Sequence, residues 1–364
     1  MNRPIEDLPT PAVLVDLDVL ERNIARQAER ARTAGVRLRP HAKTHKCPEI
    51  ARLQLAAGAA GISLAKTSEA EVFAAAGFDD IFIAYPIVGA GKADRLLAMS
   101  DDLRLAVGAD SIEGAGALGQ VFFAAGRKLD VLLKIDVGYH RVGVLPESAP
   151  DIARRIAELP GISLKGIFTH AGQVYHAETP QAVAQIGRHE GETLVETATA
   201  LKQSGVALEE VSVGSTPSAR HAMQIAGVTE CRPGNYIFHD GSQVALGTCA
   251  LEDCAMTVLA TVVSVPASDR AVMDAGSKTL SQDSLRPRPN GHGLILGTQT
   301  RLQSLSEEHG VARIEGGDSF HVGQRVRILP NHACVVSNLH DRLYAIRAGR
   351  VETEFRVAAR GRVE

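Results

Sequence analysis

The run VRLRPHAKTHKCPEIARLQLAAGAAGISLA, residues 36–65, decides the fold. VRLRPHA reads as a strand. CPEIARLQLAAGA carries apolar residues at helical spacing and runs into glycine, and GISLA is a second short apolar strand. Lys43 is the anomaly in this pattern. Lysine is depleted in strands and is rarely buried without a partner. Yet Lys43 ends a strand, with His41 and His45 two residues to either side.

The same alternation continues outward. KTSEAEVFAAAGF is a helix with a Thr/Ser start, and DIFIAYP (80–86) a third strand. LRLAVG (103–108), LDVLLKIDVG (129–138), SLKGIFTHAG (163–172), LEEVSVGST (208–216) and VTECRPGNYIF (228–238) follow, each beside an amphipathic segment. Apolar strands alternating with helices predict a parallel sheet covered on both faces. Eight such units fit a closed (β/α)8 TIM-type barrel. An open doubly wound sheet is the alternative, but no G-x-G-x-x-G follows the first strand. Beyond about residue 245 the runs become short, β-rich and broken by Gly, Pro, Asn and Asp, which predicts a C-terminal antiparallel β domain. The expected division is a barrel over 12–245 and a β domain formed by 1–11 and 246–364. The opening TPAVLVDLD is also strand-like and would suit the second domain.

The 364 residues are 45% apolar with a net charge of -3, enough for a large core and without a basic stripe for nucleic acid. Tryptophan is absent and aromatics are 4%, which argues against a base-stacking surface. No run of about 18 apolar residues exists, so no membrane span is expected. The five cysteines are irregularly spaced, and the first residues lack an apolar signal core; both suit reduced thiols and a cytoplasmic location.

In a β/α barrel the chemistry gathers at the C-terminal strand ends. Lys43 ends the first strand. Asp136, His140 and Arg141 follow the fifth, and His170, Tyr175 and His176 the sixth. A lysine amine confined in such a pocket has a lowered pKa and attacks carbonyls, the Schiff-base chemistry most often used with pyridoxal 5′-phosphate. That cofactor needs a phosphate cradle. GSTPS (Gly214, Ser215, Thr216) and RPGNY (Gly234, Asn235, Tyr236) supply turns with free N–H groups after the seventh and eighth strands. Arg141 would hold the cofactor's phenolic oxygen or a substrate carboxylate. In LPNHACVV, an extended chain would put His332 and Cys334 on one side as half of a divalent-metal site. Zinc suits these donors, with manganese or magnesium as alternatives. His309 is a further candidate.

RPHAKTHK, KIDVGYHRVGV, THAG, VSVGSTPS, RPGNYIF, SEEHG and LPNHAC together resemble the D-threonine aldolase/D-serine dehydratase family of fold-type III pyridoxal-phosphate enzymes. The resemblance implies an alanine-racemase-like barrel plus β domain and a homodimer. It implies the cofactor on Lys43, Arg141 at its phenolic oxygen, Tyr175 near its ring, His170 among the cofactor contacts, and metal on His332 and Cys334. It also implies a small D-amino acid substrate: D-serine, D-threonine or 3-hydroxy-D-aspartate. Dehydration to a keto acid and ammonia is the favoured reaction, because His-x-Cys is usual in the dehydratases. Retro-aldol cleavage is the alternative, with His176 as base. A racemase would leave the His-x-Cys pair unexplained.

Overall fold

The computed structural model describes residues 3–101, 103–284 and 291–364. Two sheets organise them. The first is an eight-stranded parallel sheet whose members run from Arg37–Leu38 to Glu230–Cys231. Its neighbours follow in chain order, and it closes on itself. The Ser63 N–H donates to the Pro40 carbonyl at 2.8 Å and Ala60 to Leu38 at 2.8 Å. On the other side, Arg37 donates to Thr229 at 2.9 Å and Arg39 to Cys231 at 2.9 Å. This is the expected barrel.

The strands at the closing seam are short. The first is only Arg37–Leu38, because Pro40 has no N–H and the chain then bends into a 3-10 turn, Ala42–Thr44. Lys43 therefore stands on a turn beyond the strand end, not within the strand. The eighth strand is only Glu230–Cys231, and Asn235–Ile237 forms another 3-10 turn. Helices pack around the outside, and two of the longer ones are begun by a side-chain cap. Asp16 caps Leu17–Thr33 by accepting from the Val19 N–H at 3.2 Å, and Thr179 caps Pro180–Gln203 by accepting from Ala182 at 3.2 Å. One large apolar cluster joins the strands to these helices.

Inside the barrel, Phe82 and Phe168 meet edge to face at 5.0 Å, with Leu132 beside them. Gly108 makes room: a Cβ there would come within 2.6 Å of the Phe168 ring. Under this apolar layer, at the N-terminal strand ends, Arg39 pairs with Glu230 at 2.7 Å and Asp80 at 2.5 Å. That end is closed by charge pairs, and the open end is left for chemistry.

The second sheet has ten strands, nearly all antiparallel, built mainly from Met256–Ala267 onward. It also takes in Arg3–Pro4 and Ala12–Asp16. The latter pairs antiparallel with Met256–Leu259 and parallel with Tyr344–Ile346. Ala12–Asp16 thus lies in the β sheet rather than at the start of the barrel. Its four leading residues are buried, which a central strand between two partners requires.

Candidate active site

Eleven of the residues singled out from the sequence line one cavity of about 420 Å³ at the C-terminal end of the barrel. Lys43 comes from the turn after the first strand, Arg141 from the loop after the fifth, and His170 and Tyr175 from beyond the sixth. Gly214, Ser215 and Thr216 lie where the seventh strand feeds the helix Thr216–Ala222, and Gly234 and Asn235 where the eighth ends. His332 and Cys334 close the cavity from the other domain.

The two glycines show why small residues are needed here. A Cβ on Gly234 would come within 2.6 Å of Thr44 Oγ1 and 2.9 Å of the His41 carbonyl. Gly214 has φ +133, and a Cβ there would approach the Arg232 N–H nitrogen at 2.8 Å. Behind Gly214, the buried Glu190 accepts from the N–H groups of Gly214 at 3.1 Å and Ala171 at 3.2 Å, and from Ser218 Oγ at 2.5 Å. These contacts fix both loops. Small turns, short hydroxyl side chains and close backbone approach are what a phosphate monoester fits.

His332 and Cys334 do not lie on an extended strand. The strand Arg325–Pro330 ends before them, His332 takes the N-cap position, and Cys334 is in the first turn of the helix Ala333–Leu339. The change keeps the two side chains in contact, because a cap residue and the second helical residue both face the helix start. Cys334 Sγ lies 3.3 Å from Thr44 Oγ1, next to Lys43 in the chain. His332 Nδ1 lies 2.6 Å from Asp283 Oδ2. Burial opposes charge on His332, but bonds to Asp283 and Cys334 outweigh it and push its pKa up to about 11. The anionic surroundings that favour a proton there equally favour a divalent cation. His332 and Cys334 supply one nitrogen and one sulfur donor of the kind a divalent metal takes, with Asp283 behind the imidazole; among the described residues no cluster of three or more such side chains could hold a metal by itself.

Lys43 keeps accessible surface because the cavity is open, yet the walls strip enough water to lower its pKa; Cys334 opposes this shift and Arg141 adds to it. His41 and His170 are held well below the usual imidazole range by burial and by Lys43. Burial raises the Tyr175 hydroxyl, with Cys334 adding to the rise. Tyr175 therefore remains a proton donor at neutral pH.

Comparison with known proteins fits this geometry. The model of the alanine racemase N-terminal domain matches residues 15–241, and that of the putative serine dehydratase domain matches 255–346. The chain is 39% identical to D-threo-3-hydroxyaspartate dehydratase of Delftia sp. (strain HT23), over 97% of this chain and 98% of that one. It is 36% identical to D-threonine aldolase of an Arthrobacter species, over 98% and 94%. The chain belongs to the D-threonine aldolase/D-serine dehydratase family. The crystal structure of a family member, D-threonine aldolase from Filomicrobium marinum, superposes with a TM-score of 0.93 at 33% identity, over 100% of this chain and 98% of that one. Solved structures of a D-threo-3-hydroxyaspartate dehydratase include a histidine-to-alanine variant and, two residues further along, a cysteine-to-alanine variant in a metal-free form. Members of the family are pyridoxal-phosphate-dependent lyases of D-β-hydroxy amino acids.

Five residues stand apart from the expected cluster: Asp136 and His140, which bond to each other at 3.1 Å, and three more. Tyr236 turns its side chain into the core, where its hydroxyl accepts from Gln54 Nε2 at 2.9 Å. Its side chain packs in the core and does not line the cavity. His309 is exposed in a turn of the β domain, away from the cavity. His176 is exposed and lines an adjoining cavity of about 520 Å³ with Tyr175, Asp283 and His332, not the space around Lys43.

Sequence reasoning missed four residues. Buried Arg232 donates to the carbonyls of Thr169 and Val213 and to Ser212, and stacks over Phe168 at 5.3 Å. Lys134 lies behind the cavity with its Nζ 4.6 Å from the Phe168 ring centre. Glu190 and Asp283 complete the group. Arg232 and Lys134 were visible as charged residues inside apolar strands. Glu190, on a long polar helix, gave no signal.

Proposed function

We propose that this protein dehydrates D-β-hydroxy-α-amino acids, with pyridoxal 5′-phosphate on Lys43 and a divalent cation, zinc by donor type, on His332 and Cys334. One observation carries the reading: the Lys43 amine and the His332–Cys334 pair converge on one cavity. When bound, the cofactor supplies an electron sink for charge at the substrate's α-carbon and the cation a Lewis acid for its β-hydroxyl.

Lys43, with its lowered pKa, accepts the α-proton as general base. Gly214, Ser215, Thr216, Gly234 and Asn235 hold the phosphate. Arg141, its guanidinium 4.8 Å from the Tyr139 ring centre, offers a planar fork to a carboxylate or phenolic oxygen. His170 bounds the ring space, and Tyr175 donates a hydrogen bond toward the departing hydroxyl. Loss of water gives an enamine that hydrolyses to a keto acid and ammonia.

A second reading has support from one placement. His176 shares the adjoining cavity with Tyr175 and His332, so it could take the β-hydroxyl proton for retro-aldol cleavage to glycine and an aldehyde. The similar D-threo-3-hydroxyaspartate dehydratase, whose altered histidine and cysteine are spaced like His332 and Cys334, favours dehydration. A homodimer belongs to the same proposal: Tyr85, Val142 and Leu145 are exposed apolar residues, and the first two line the barrel mouth. Incubation with D-threonine decides between the reactions. Production of 2-oxobutanoate and ammonia is the expected result; glycine and acetaldehyde would establish the aldolase.

A further inference from the structure

Asp240 has no role so far, and it is fully buried. Its Oδ1 accepts from the Gln243 N–H at 3.0 Å and caps the helix Gly241–Ala245. Its Oδ2 accepts from Asn235 Nδ2 at 2.6 Å and from the Ala333 N–H at 2.9 Å. Asn235 belongs to the phosphate cradle. Ala333 stands between His332 and Cys334. One oxygen atom therefore holds the barrel's eighth-strand loop to the turn that carries the metal pair.

The surrounding contacts reinforce this joint. The Ser242 N–H and hydroxyl both donate to the Asn331 carbonyl, at 3.2 and 2.7 Å. A Cβ on Gly241 would come within 3.1 Å of Asn331 Oδ1, so the two backbones meet closely. A buried carboxylate that accepts several N–H bonds gives short, charge-assisted contacts, and losing it leaves donors unsatisfied in a dry interior.

We propose that Asp240 is a positioning residue that couples the two sites, so that cation and cofactor each bind more tightly when the other is present. The proposal rests on the assignment of Asn235 to the phosphate and of His332 and Cys334 to the metal. Fixing one turn fixes the other through the shared oxygen, so the second ligand meets a site already ordered. Linkage makes the effect reciprocal.

The test uses the full-length protein and measures the dissociation constant of pyridoxal phosphate, by equilibrium dialysis and visible absorbance, with and without saturating zinc. In the unaltered protein zinc should tighten cofactor binding about tenfold, within the usual span of site–site coupling. In Asp240→Ala, cofactor and zinc should each bind roughly tenfold or more weakly, and zinc should no longer affect the cofactor. Asp240→Asn keeps the shape but loses an acceptor, and should fall between; it carries the test if the alanine variant does not fold. Melting temperature and circular dichroism check each variant. Zinc-dependent cofactor affinity that persists in both variants, or is absent from the unaltered protein, overturns the proposal. Failure of the unaltered protein to bind cofactor or zinc at all overturns instead the functional assignment beneath it.

Discussion

His332 Nδ1 and Asp283 Oδ2 are 2.6 Å apart, so the outer carboxylate fixes which imidazole nitrogen faces the cavity. A histidine that holds metal commonly gives its other ring N–H to such a partner, which orients the ring and strengthens the ligand. Asp283→Asn should lower divalent-metal affinity roughly 10–100-fold while leaving the cofactor affinity of the metal-free protein unchanged. Isothermal titration with zinc and a parallel cofactor titration measure both. Unchanged zinc affinity would remove Asp283 from the metal centre.

Lys43 is the only lysine among the sequence-chosen residues, and its pKa is already lowered by its surroundings. Lys43→Ala should abolish the visible absorbance of lysine-bound cofactor and the lyase activity together. Lys43→Arg keeps the charge but cannot condense with an aldehyde, and should behave the same way. Survival of that absorbance in either variant would point to another amine, with Lys134 next in line. Chelation should separately abolish activity, and added divalent metal should restore it.

Gly234 gives a test of the cradle that touches no charged group. Its missing Cβ leaves room for Thr44 Oγ1 and the His41 carbonyl, which hold the Lys43 turn. Gly234→Ala forces that turn outward. Stability should fall by about 1–3 kcal/mol, the usual cost of overpacking. Cofactor affinity should fall more than tenfold, because phosphate cradle and reactive amine no longer fit one ligand. Gly205→Ala is the control, since a Cβ there meets nothing within 4 Å. It has φ +88, so it should cost stability and leave cofactor affinity intact.

The barrel was legible because most of its parallel strands are largely buried and read as apolar runs. The seam was less so. Pro40 cuts the first strand short, and that places Lys43 on a turn, which periodicity cannot separate from an extended segment. The same ambiguity made His332 and Cys334 look extended, although the pairing of their side chains was readable from their spacing. Sequence could not show that the Tyr236 ring packs inward against Gln54 while its neighbours Gly234 and Asn235 line the cavity. Asp283 and Glu190 were invisible for a different reason. Each acts on a residue tens of positions away, and one sequence holds no record of such contacts.

Lys134 shows what the barrel interior does to a charge. It is buried at the end of Leu129–Lys134 and makes no ion pair among the described residues; burial, with Arg232 and Arg141 adding like charge, lowers its pKa to about 7. The folded value lies below the unfolded value of 10.5. Between about pH 7 and 10 the unfolded chain binds a proton that the folded chain does not, so this residue makes stability rise with pH across that window. Below it the folded protein carries the buried charge and bears the full cost. Lys134→Met should therefore stabilise the cofactor-free protein most near pH 6, by at most about 5 kcal/mol from linkage, and hardly at all near pH 10. Urea denaturation of both proteins at the two ends of the range measures this gap. A gap of constant size would mean that Lys134 does not change charge on folding.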